Sequence, residues 1–355
     1  MDRAITAAED RAMLRALELA RRGPVHGPNP RVGCVLLDPE GRTLGEGWHE
    51  GAGTPHAEVA ALADAARHGR LVRGATAVVT LEPCHHTGRT GPCTGALLEA
   101  GVARVVHAVD DPNPSARGGA AALRDAGVDV VGGVRRAEGE DLLATWLHAL
   151  RTGRPWVTLK TATSLDGRVT AADGTSRWIT GERSRAHAHS VRSTVDAIVV
   201  GTGTVLADDP ALTARRDGSL AGHQPLRVVV GRRAVPPGAR LHGPGGPLLR
   251  IPTHDVGEVL ARLAAAEVRH ALVEGGPTLA SAFLRAGVVD EIHAYLAPVV
   301  LGAGRAAVED AGVATLAAAP RWRTVAVERL GDDVLVVARR DPGSTDHPTE
   351  NEEED

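Results

Sequence analysis

Apolar positions along this chain switch repeatedly between two periods. Over residues 2–22 they fall at Ile5, Met13, Leu14, Leu17 and Ala20, the spacing of an amphipathic helix. His26-Gly27-Pro28-Asn29-Pro30 breaks it. Residues 32–37 then read as a buried strand and 44–48 as its hairpin partner across Asp38-Pro39-Glu40-Gly41. The pattern goes on to predict a helix over 56–68, a strand over 76–81, a helix over 93–100 stopped by Gly101, and a strand over 104–109. A helix over 120–126, a strand over 128–131 and a helix over 136–150 follow. Such alternation predicts a three-layer α/β/α domain over residues 1–150. Arg151-Thr152-Gly153-Arg154-Pro155 reads as a linker into a second α/β domain over 151–340. Its strands are expected at 156–160, 197–200, 226–230, 270–273, 291–296, and in a final pair near 324–327 and 333–337. Between Arg233 and Pro252 the chain is rich in Gly and Pro and shows little pattern, which would loosen a neighbouring site.

Composition narrows the class. The 355 residues suit about two domains, and 43% hydrophobic content suffices for sizeable cores. With one Phe, one Tyr and five Trp, those cores must be packed with small branched side chains. A net charge of -4 lacks the basic footprint of a non-specific nucleic-acid binder. Three cysteines are no disulfide framework, and reduced thiols fit a cytoplasmic enzyme. No stretch approaches membrane-spanning length, and the N-terminal helix lacks the marks of a signal peptide. Residues 341–355, polar and acidic, read as a disordered tail.

The chemistry concentrates between His56 and Cys93. His56-Ala57-Glu58 opens this stretch, and Cys84 and Cys93, eight residues apart, close it. One imidazole and two thiols form the ligand set of a catalytic zinc site, with the fourth position left for water. Zinc so held acidifies water near neutral pH. Glu58 lies two residues past His56 on a helix, so it is poorly placed as a fourth ligand and well placed to reach that water. Zinc-dependent base deaminases share this layout, with the Glu as proton carrier. The helix starting at Cys93 favours negative charge and so should help hold Cys93 as a thiolate. Alternatively these are core thiols, or a structural zinc site completed by Cys34 or His86.

Base deaminases usually carry two residues between the cysteines. The longer spacing, with Thr80-Leu81-Glu82-Pro83-Cys84 and Gly88-Arg89-Thr90-Gly91-Pro92-Cys93, resembles the deaminase half of the RibD family, bifunctional proteins of riboflavin biosynthesis. His85 and Gly91 depart from that family's small residue and Pro-Pro pair. Asn29-Pro30-Arg31-Val32-Gly33 and Asp111-Pro112-Asn113-Pro114 match further motifs. The resemblance implies a cytidine-deaminase-like fold, one Zn2+ per chain, and Asn29, His49 and Arg89 as substrate-binding residues. Asn29 offers both donor and acceptor to a pyrimidine edge, and Arg89 suits the sugar phosphate.

In the second half, Lys160-Thr161-Ala162-Thr163-Ser164-Leu165-Asp166-Gly167 resembles the opening of the same family's reductase domain, which is related to dihydrofolate reductases. Ser176-Arg177-Trp178-Ile179-Thr180, the run 203–215 and Glu274-Gly275-Gly276-Pro277-Thr278-Leu279 extend the match. Glycines after a strand let a ligand approach the backbone, and a helix beginning at Pro277 is an anion site. The resemblance implies NADPH against Ala162, Trp178, Thr204 and Asp208, with its phosphates on Gly276, Pro277, Thr278, Leu279, Ala280, Ser281 and Ala282. Ser176, Arg192, Leu212, Arg215 and Glu274 would hold the substrate, Arg192 and Arg215 as phosphate partners. Asp208 and Glu274 are the candidate proton donors.

The expected partner is a small pyrimidine ribosyl phosphate, with no nucleic acid and no membrane, in a homodimer or higher homo-oligomer. The rival readings are a nucleic-acid deaminase and a deaminase joined to a non-catalytic module.

Overall fold

The computed structural model describes residues 4–85, 91–114 and 116–340, so the expected tail at 341–355 lies outside the described residues. The chain divides into two compact units, one running through Pro155 and the other beginning at Trp156.

The first unit strings together α1 (Ala7–Ala20), β1 (Gly33–Leu37), β2 (Thr43–Trp48), α2 (Ala57–Arg67), β3 (Thr76–Leu81) and α3 (Cys93–Glu99). Then come β4 (Arg104–Val109), α4 (Gly119–Asp125), β5 (Asp129–Val131), α5 (Arg136–Leu142) and α6 (Ala144–Thr152). Thr6 and Glu9 close a reciprocal capping box at the start of α1. In the β1–β2 turn, Asp38 Oδ1 accepts from the amides of Glu40 and Arg42, the local bond that makes Asp a turn residue.

The sheet order is β2-β1-β3-β4-β5, with β1 antiparallel to both neighbours and β3, β4 and β5 parallel. This topology gathers three chain segments at one edge. Gly33 opposes Trp48, and the Gly33 amide donates to Thr80 Oγ1 at 3.2 Å. The segment entering β1 and the segments leaving β2 and β3 therefore emerge side by side.

Where one helix was expected over 136–150, Leu143 (φ -100°, ψ 8°) separates α5 from α6. The buried Leu143, Trp146 and Leu147 stay in helical phase across the break, so periodicity alone does not reveal it. Helix α6 also runs on to Thr152, where Gly153 at φ 71° ends it, and only residues 153–155 of the expected linker remain outside it.

The second unit contains β6 (Trp156–Ser164), α7 (Glu182–Arg192), β7 (Ala197–Gly201), α8 (Thr202–Asp208), β8 (Arg215–Arg216), β9 (Ser219–Leu220) and β10 (Leu226–Val230). It continues through β11 (Leu248–Ile251), α9 (Val256–Ala265), β12 (His270–Val273), α10 (Pro277–Arg285), β13 (Glu291–Ala297), β14 (Arg323–Leu330) and β15 (Asp333–Arg339). The main sheet runs β11-β10-β7-β12-β6-β13-β15-β14, parallel as far as β13 and antiparallel beyond it. Strand β12 returns between β7 and β6, and ligands of open α/β sheets bind beyond the carboxyl ends of strands at such a reversal.

Two elements here lack the usual signal. Helix α7 buries only Ser184, so it shows no apolar stripe. Its start is held instead by Asp333, which accepts from the Gly181 amide at 2.7 Å and the Ser184 hydroxyl at 2.6 Å. The unpatterned stretch 233–252 hides β11, a four-residue strand at the sheet edge. Among the described residues, no helix is long and apolar enough to cross a membrane.

Helix α2 presses on β2 because Gly47 has no side chain: a Cβ there would meet Ala61 N at 2.3 Å and Ala57 O at 2.5 Å. Gly47→Ala should therefore cost about 2 kcal/mol by overpacking, read as a lower urea midpoint for the first unit. An unchanged midpoint would contradict this account of the α2–β2 contact.

Candidate active site

His56 is the N-cap residue of α2, and Glu58 lies in that helix's first turn. Cys84 follows the end of β3, and Cys93 opens α3. These segments bring His56 Nδ1 to 3.2 Å from Cys93 Sγ and 3.6 Å from Cys84 Sγ, and all three ligand atoms lie within 4.8 Å of one another. A tetrahedral zinc with ordinary Zn–N and Zn–S bonds separates N and S ligands by about 3.5 Å, so the trio fits that ion. Cys34 is buried within β1 and is not part of the group. His85 is exposed, its Nδ1 3.0 Å from Thr94 Oγ1, and it too stays outside. His86 and Arg89 lie outside the described residues.

The two thiols lie in one hydrogen-bonded group with His56. The hydrogen bond with Cys93, followed by that with His56, pulls Cys84 down to about 4, and the same thiol–thiol bond pushes Cys93 up. The first amide of α3, that of Cys93, points at Cys84 Sγ at 3.5 Å. That amide serves Cys84, the ligand next to the one that opens the helix. The hydrogen bond to Cys84 also raises the His56 pKa.

Glu58 is 4% exposed, and burial pushes its carboxyl up to about 7, in the range of a group that exchanges protons near neutral pH. A divalent cation beside it would favour the carboxylate. Asn29, His49, His56 and Glu58 line one cavity of about 190 Å³, together with Cys84, Asn113 and Trp146. The buried His49 ring fixes the Asn29 amide. Its Nδ1 lies 3.1 Å from the Pro55 carbonyl, which can only accept, so Nδ1 carries the proton. Nε2 must then accept from Asn29 Nδ2 at 3.1 Å. That leaves Asn29 Oδ1 as the acceptor for a ligand. Burial lowers the His49 pKa and favours this neutral state.

Sequence reasoning assigned no role to Glu82, the residue between β3 and Pro83-Cys84. Its two buried oxygens accept from the Ala120 amide at 2.8 Å and the Asp111 amide at 3.1 Å, tying the Asp111-Pro112-Asn113-Pro114 turn to the cysteine loop. The one available signal was a carboxylate at the end of an otherwise apolar strand. Gly119 permits the same approach, since a Cβ there would lie 1.8 Å from the Pro83 carbonyl.

In the second unit the predicted residues divide. Thr204 in α8 accepts from the Gly276 amide at 3.1 Å, which joins the turn after β12 to the turn after β7. Of the run from Gly276 to Ala282, Thr278 is exposed and Gly276, Leu279 and Ala282 are half-buried, whereas Pro277, Ala280 and Ser281 are buried. The Ser281 hydroxyl is already engaged by the Glu309 amide. Ala162 sits on β6 opposite Tyr295, Ser176 is half-buried, and Trp178 is 69% exposed beside the Arg185 guanidinium. Arg177 bonds the Asp208 carbonyl.

Three of these residues are engaged within the protein. Arg192 forks onto Glu274 with two contacts of 2.7 Å, so that edge of its guanidinium is taken by the carboxylate. Arg215 folds back onto Thr213 Oγ1 and the Gly218 carbonyl. Leu212 puts its side chain in the apolar core, leaving only its backbone to face a ligand. Although burial opposes it, the charge of Arg192 and its hydrogen bonds bring Glu274 down to about 2, so the resting carboxyl is an ionised acceptor rather than a proton donor. Sequence reasoning also passed over Lys160 as a chemical group. It is the only lysine in the chain, its pKa is lowered by burial, and its charge acts on Glu274.

Two expectations follow. His56→Ala or Cys84→Ser should reduce bound zinc from one per chain to little or none, measured by mass spectrometry of the metal; full occupancy in either variant would contradict the ligand set. A carboxyl lowered on folding contributes stability above its unfolded value, near 4.5, which is lost as pH falls through its folded value near 2. Arg192→Met should therefore destabilise the second unit by about 3 kcal/mol at pH 7, with a difference from the parent that shrinks between pH 5 and 2. A pH-independent difference would exclude the ion pair as its cause.

Comparison with known proteins matches both halves. Residues 6–109 match the cytidine and deoxycytidylate deaminase zinc-binding region, and residues 155–336 match the RibD C-terminal domain. The chain is 53% identical over 311 residues to a riboflavin biosynthesis protein RibD of Mycobacterium tuberculosis, covering 87% of this chain and 90% of that one. It is 41% identical over 361 residues to the RibD of Escherichia coli, covering 91% and 97%. A solved diaminohydroxyphosphoribosylaminopyrimidine deaminase/5-amino-6-(5-phosphoribosylamino)uracil reductase from Thermotoga maritima superposes with a TM-score of 0.85 at 34% identity, covering 94% of this chain and 99% of that one. Matched in both halves, in the same order and across nearly the full length of these relatives, the chain belongs to the RibD family of bifunctional deaminase–reductases of riboflavin biosynthesis.

Proposed function

We propose that the two units catalyse consecutive steps on one pyrimidine ribosyl phosphate. The first deaminates 2,5-diamino-6-(5-phosphoribosylamino)pyrimidin-4(3H)-one to 5-amino-6-(5-phosphoribosylamino)uracil. The second reduces the ribosyl group of that product to ribityl with NADPH. The observation that carries this reading is the convergence of His56, Cys84 and Cys93, with His56, Cys84 and buried Glu58 lining one cavity, in a chain of this family.

When bound, zinc acidifies the attacking water and NADPH supplies the hydride. Glu58 takes a proton from the water and returns it to the departing amine, so ammonia leaves as oxygen takes its place on the ring carbon. Asn29, oriented by His49, offers Oδ1 to a ring N–H or amino group. Arg89 meets the sugar phosphate. In the second unit Gly276, Thr278 and Leu279 receive the cofactor phosphates, with Thr204 holding the Gly276 amide in place. Glu274 accepts from the ribosyl group, and Arg192 keeps it ionised. The ribosyl ring would first open, its oxygen gaining a proton as the attached nitrogen gives one up to form the imine; a hydride to that carbon and a proton to the nitrogen would then complete the reduction. The working form is a cytoplasmic homodimer or higher homo-oligomer.

The test follows ammonia release and NADPH oxidation together from the diaminopyrimidinone substrate. Ammonia should appear first, and Glu58→Gln should slow both signals by about a hundredfold or more. The same variant should still oxidise NADPH when given the deaminated compound. NADPH oxidation from the diamino compound without ammonia release would overturn the order of steps.

A further inference from the structure

The cofactor edge of the second unit has a third turn that the reading above leaves unused. Strand β7 lies between β12 and β10, and all three run parallel. The turns that follow them therefore open on the same edge of the sheet. Close contacts join these turns into one ledge. Thr204 holds the Gly276 amide, so the turn after β12 meets the turn after β7. A Cβ on Gly231, just after β10, would lie 2.7 Å from Thr202 Oγ1. One on Gly203 would lie 3.0 Å from a guanidinium nitrogen of Arg233. Gly201, Gly203, Gly275 and Gly276 leave much of the ledge as bare backbone that a flat ligand can approach.

What the third turn adds is charge. Between Asp217 and Asp255 the chain has five arginines and no Asp or Glu. Arg232 and Arg233 are exposed directly after Gly231, and Arg250 on neighbouring β11 donates to the Arg233 carbonyl at 3.2 Å. Among the described residues, no carboxylate pairs with Arg232, Arg233 or Arg250. Solvated arginines are common on any surface, so their position has to decide. The nicotinamide is placed toward Ala162 on β6 and the pyrophosphate on the turn after β12, so the adenosine end runs on past β7 toward β10. Strands lie about 4.8 Å apart, which puts the end of β10 about 10 Å from that of β12. One ribose, a span of that order, separates the pyrophosphate of NADPH from its 2'-phosphate. At the corresponding place in other dinucleotide folds, an acid takes the ribose hydroxyl of NAD and an arginine takes the 2'-phosphate of NADP. This chain offers arginine there and no acid.

We infer that Arg233, with Arg232 beside it, binds the 2'-phosphate of NADPH and so sets the preference for NADPH over NADH. This inference rests on the reductase reading above and adds its cofactor specificity. The planar guanidinium donates to two phosphate oxygens at once. Lysine cannot take this place, because the chain's only lysine is Lys160, whose charge acts on Glu274.

Equilibrium binding to full-length Arg233→Gln tests this without turnover, read from the fluorescence of the reduced nicotinamide. The parent should bind NADPH more tightly than NADH. The variant should bind NADPH about ten- to thirtyfold more weakly, the scale of a hydrogen bond to a charged group, with NADH affinity kept within about twofold. Unchanged NADH binding also reports that the pocket is intact. Arg233→Lys should recover part of the loss, since it restores the charge without the planar fork. Adenosine 2',5'-bisphosphate should displace NADPH from the parent more effectively than AMP does, and that advantage should shrink in Arg233→Gln. Equal weakening of both nucleotides would overturn the inference by showing a structural or pyrophosphate role. Unchanged NADPH affinity, or a parent that binds both nucleotides alike, would overturn it and leave the reductase reading standing. A parent that binds neither nucleotide overturns the reductase reading and this inference with it.

Discussion

Three ligand atoms from three separate segments must meet within 4.8 Å, and the first unit is built around that requirement. Two thiols and an imidazole brought so close repel or share protons unless a cation sits between them. Here the Cys93 amide and the His56 ring both point at Cys84 Sγ, and hydrogen bonding with them and with Cys93 pulls the Cys84 thiol down. The fold brings the segments together through strand order. Antiparallel β1 enters where parallel β3 leaves, so Asn29, His49 and Cys84 reach one edge, and glycines at 47 and 119 let α2 and α4 close upon it.

The second unit depends on a different buried charge. Glu274 stands at the carboxyl end of β12, where the strand order reverses, and Arg192 at the end of α7 holds it ionised. Breaking such a pair leaves one charge alone in low dielectric, which is why the two residues act as one group. The Arg192 guanidinium also bonds the Thr213 carbonyl, which fixes the loop that follows α8. The charge and position of this carboxylate are thus set by the fold itself.

Much of this was readable in the sequence where the signal is local. Strands such as β3, β4, β10 and β12 announce themselves as apolar runs because both faces are covered. His56, Glu58, Cys84 and Cys93 were legible because ligand type and spacing carry the chemistry by themselves. Features set by distant partners were not. Helix α7 has no apolar stripe, being anchored by Asp333 from 149 residues away. The hydrogen bond from Asn29 to His49, the double acceptance by Glu82 and the capture of Arg192 by Glu274 each depend on a partner at least twenty residues distant. Leu212 was assigned to substrate by resemblance alone, and its burial shows that its side chain serves packing.

The measurement closest to the central claim is zinc K-edge X-ray absorption on the loaded protein. Two sulfur scatterers at about 2.3 Å and two nitrogen or oxygen scatterers at about 2.0 Å are expected: His56, Cys84, Cys93 and one exchangeable water. Glu58→Gln should leave that shell unchanged, since Glu58 stands outside the ligand group and its proposed role is to move protons. A shell of four protein ligands, or one altered by Glu58→Gln, would contradict the account by making the site structural or Glu58 a ligand.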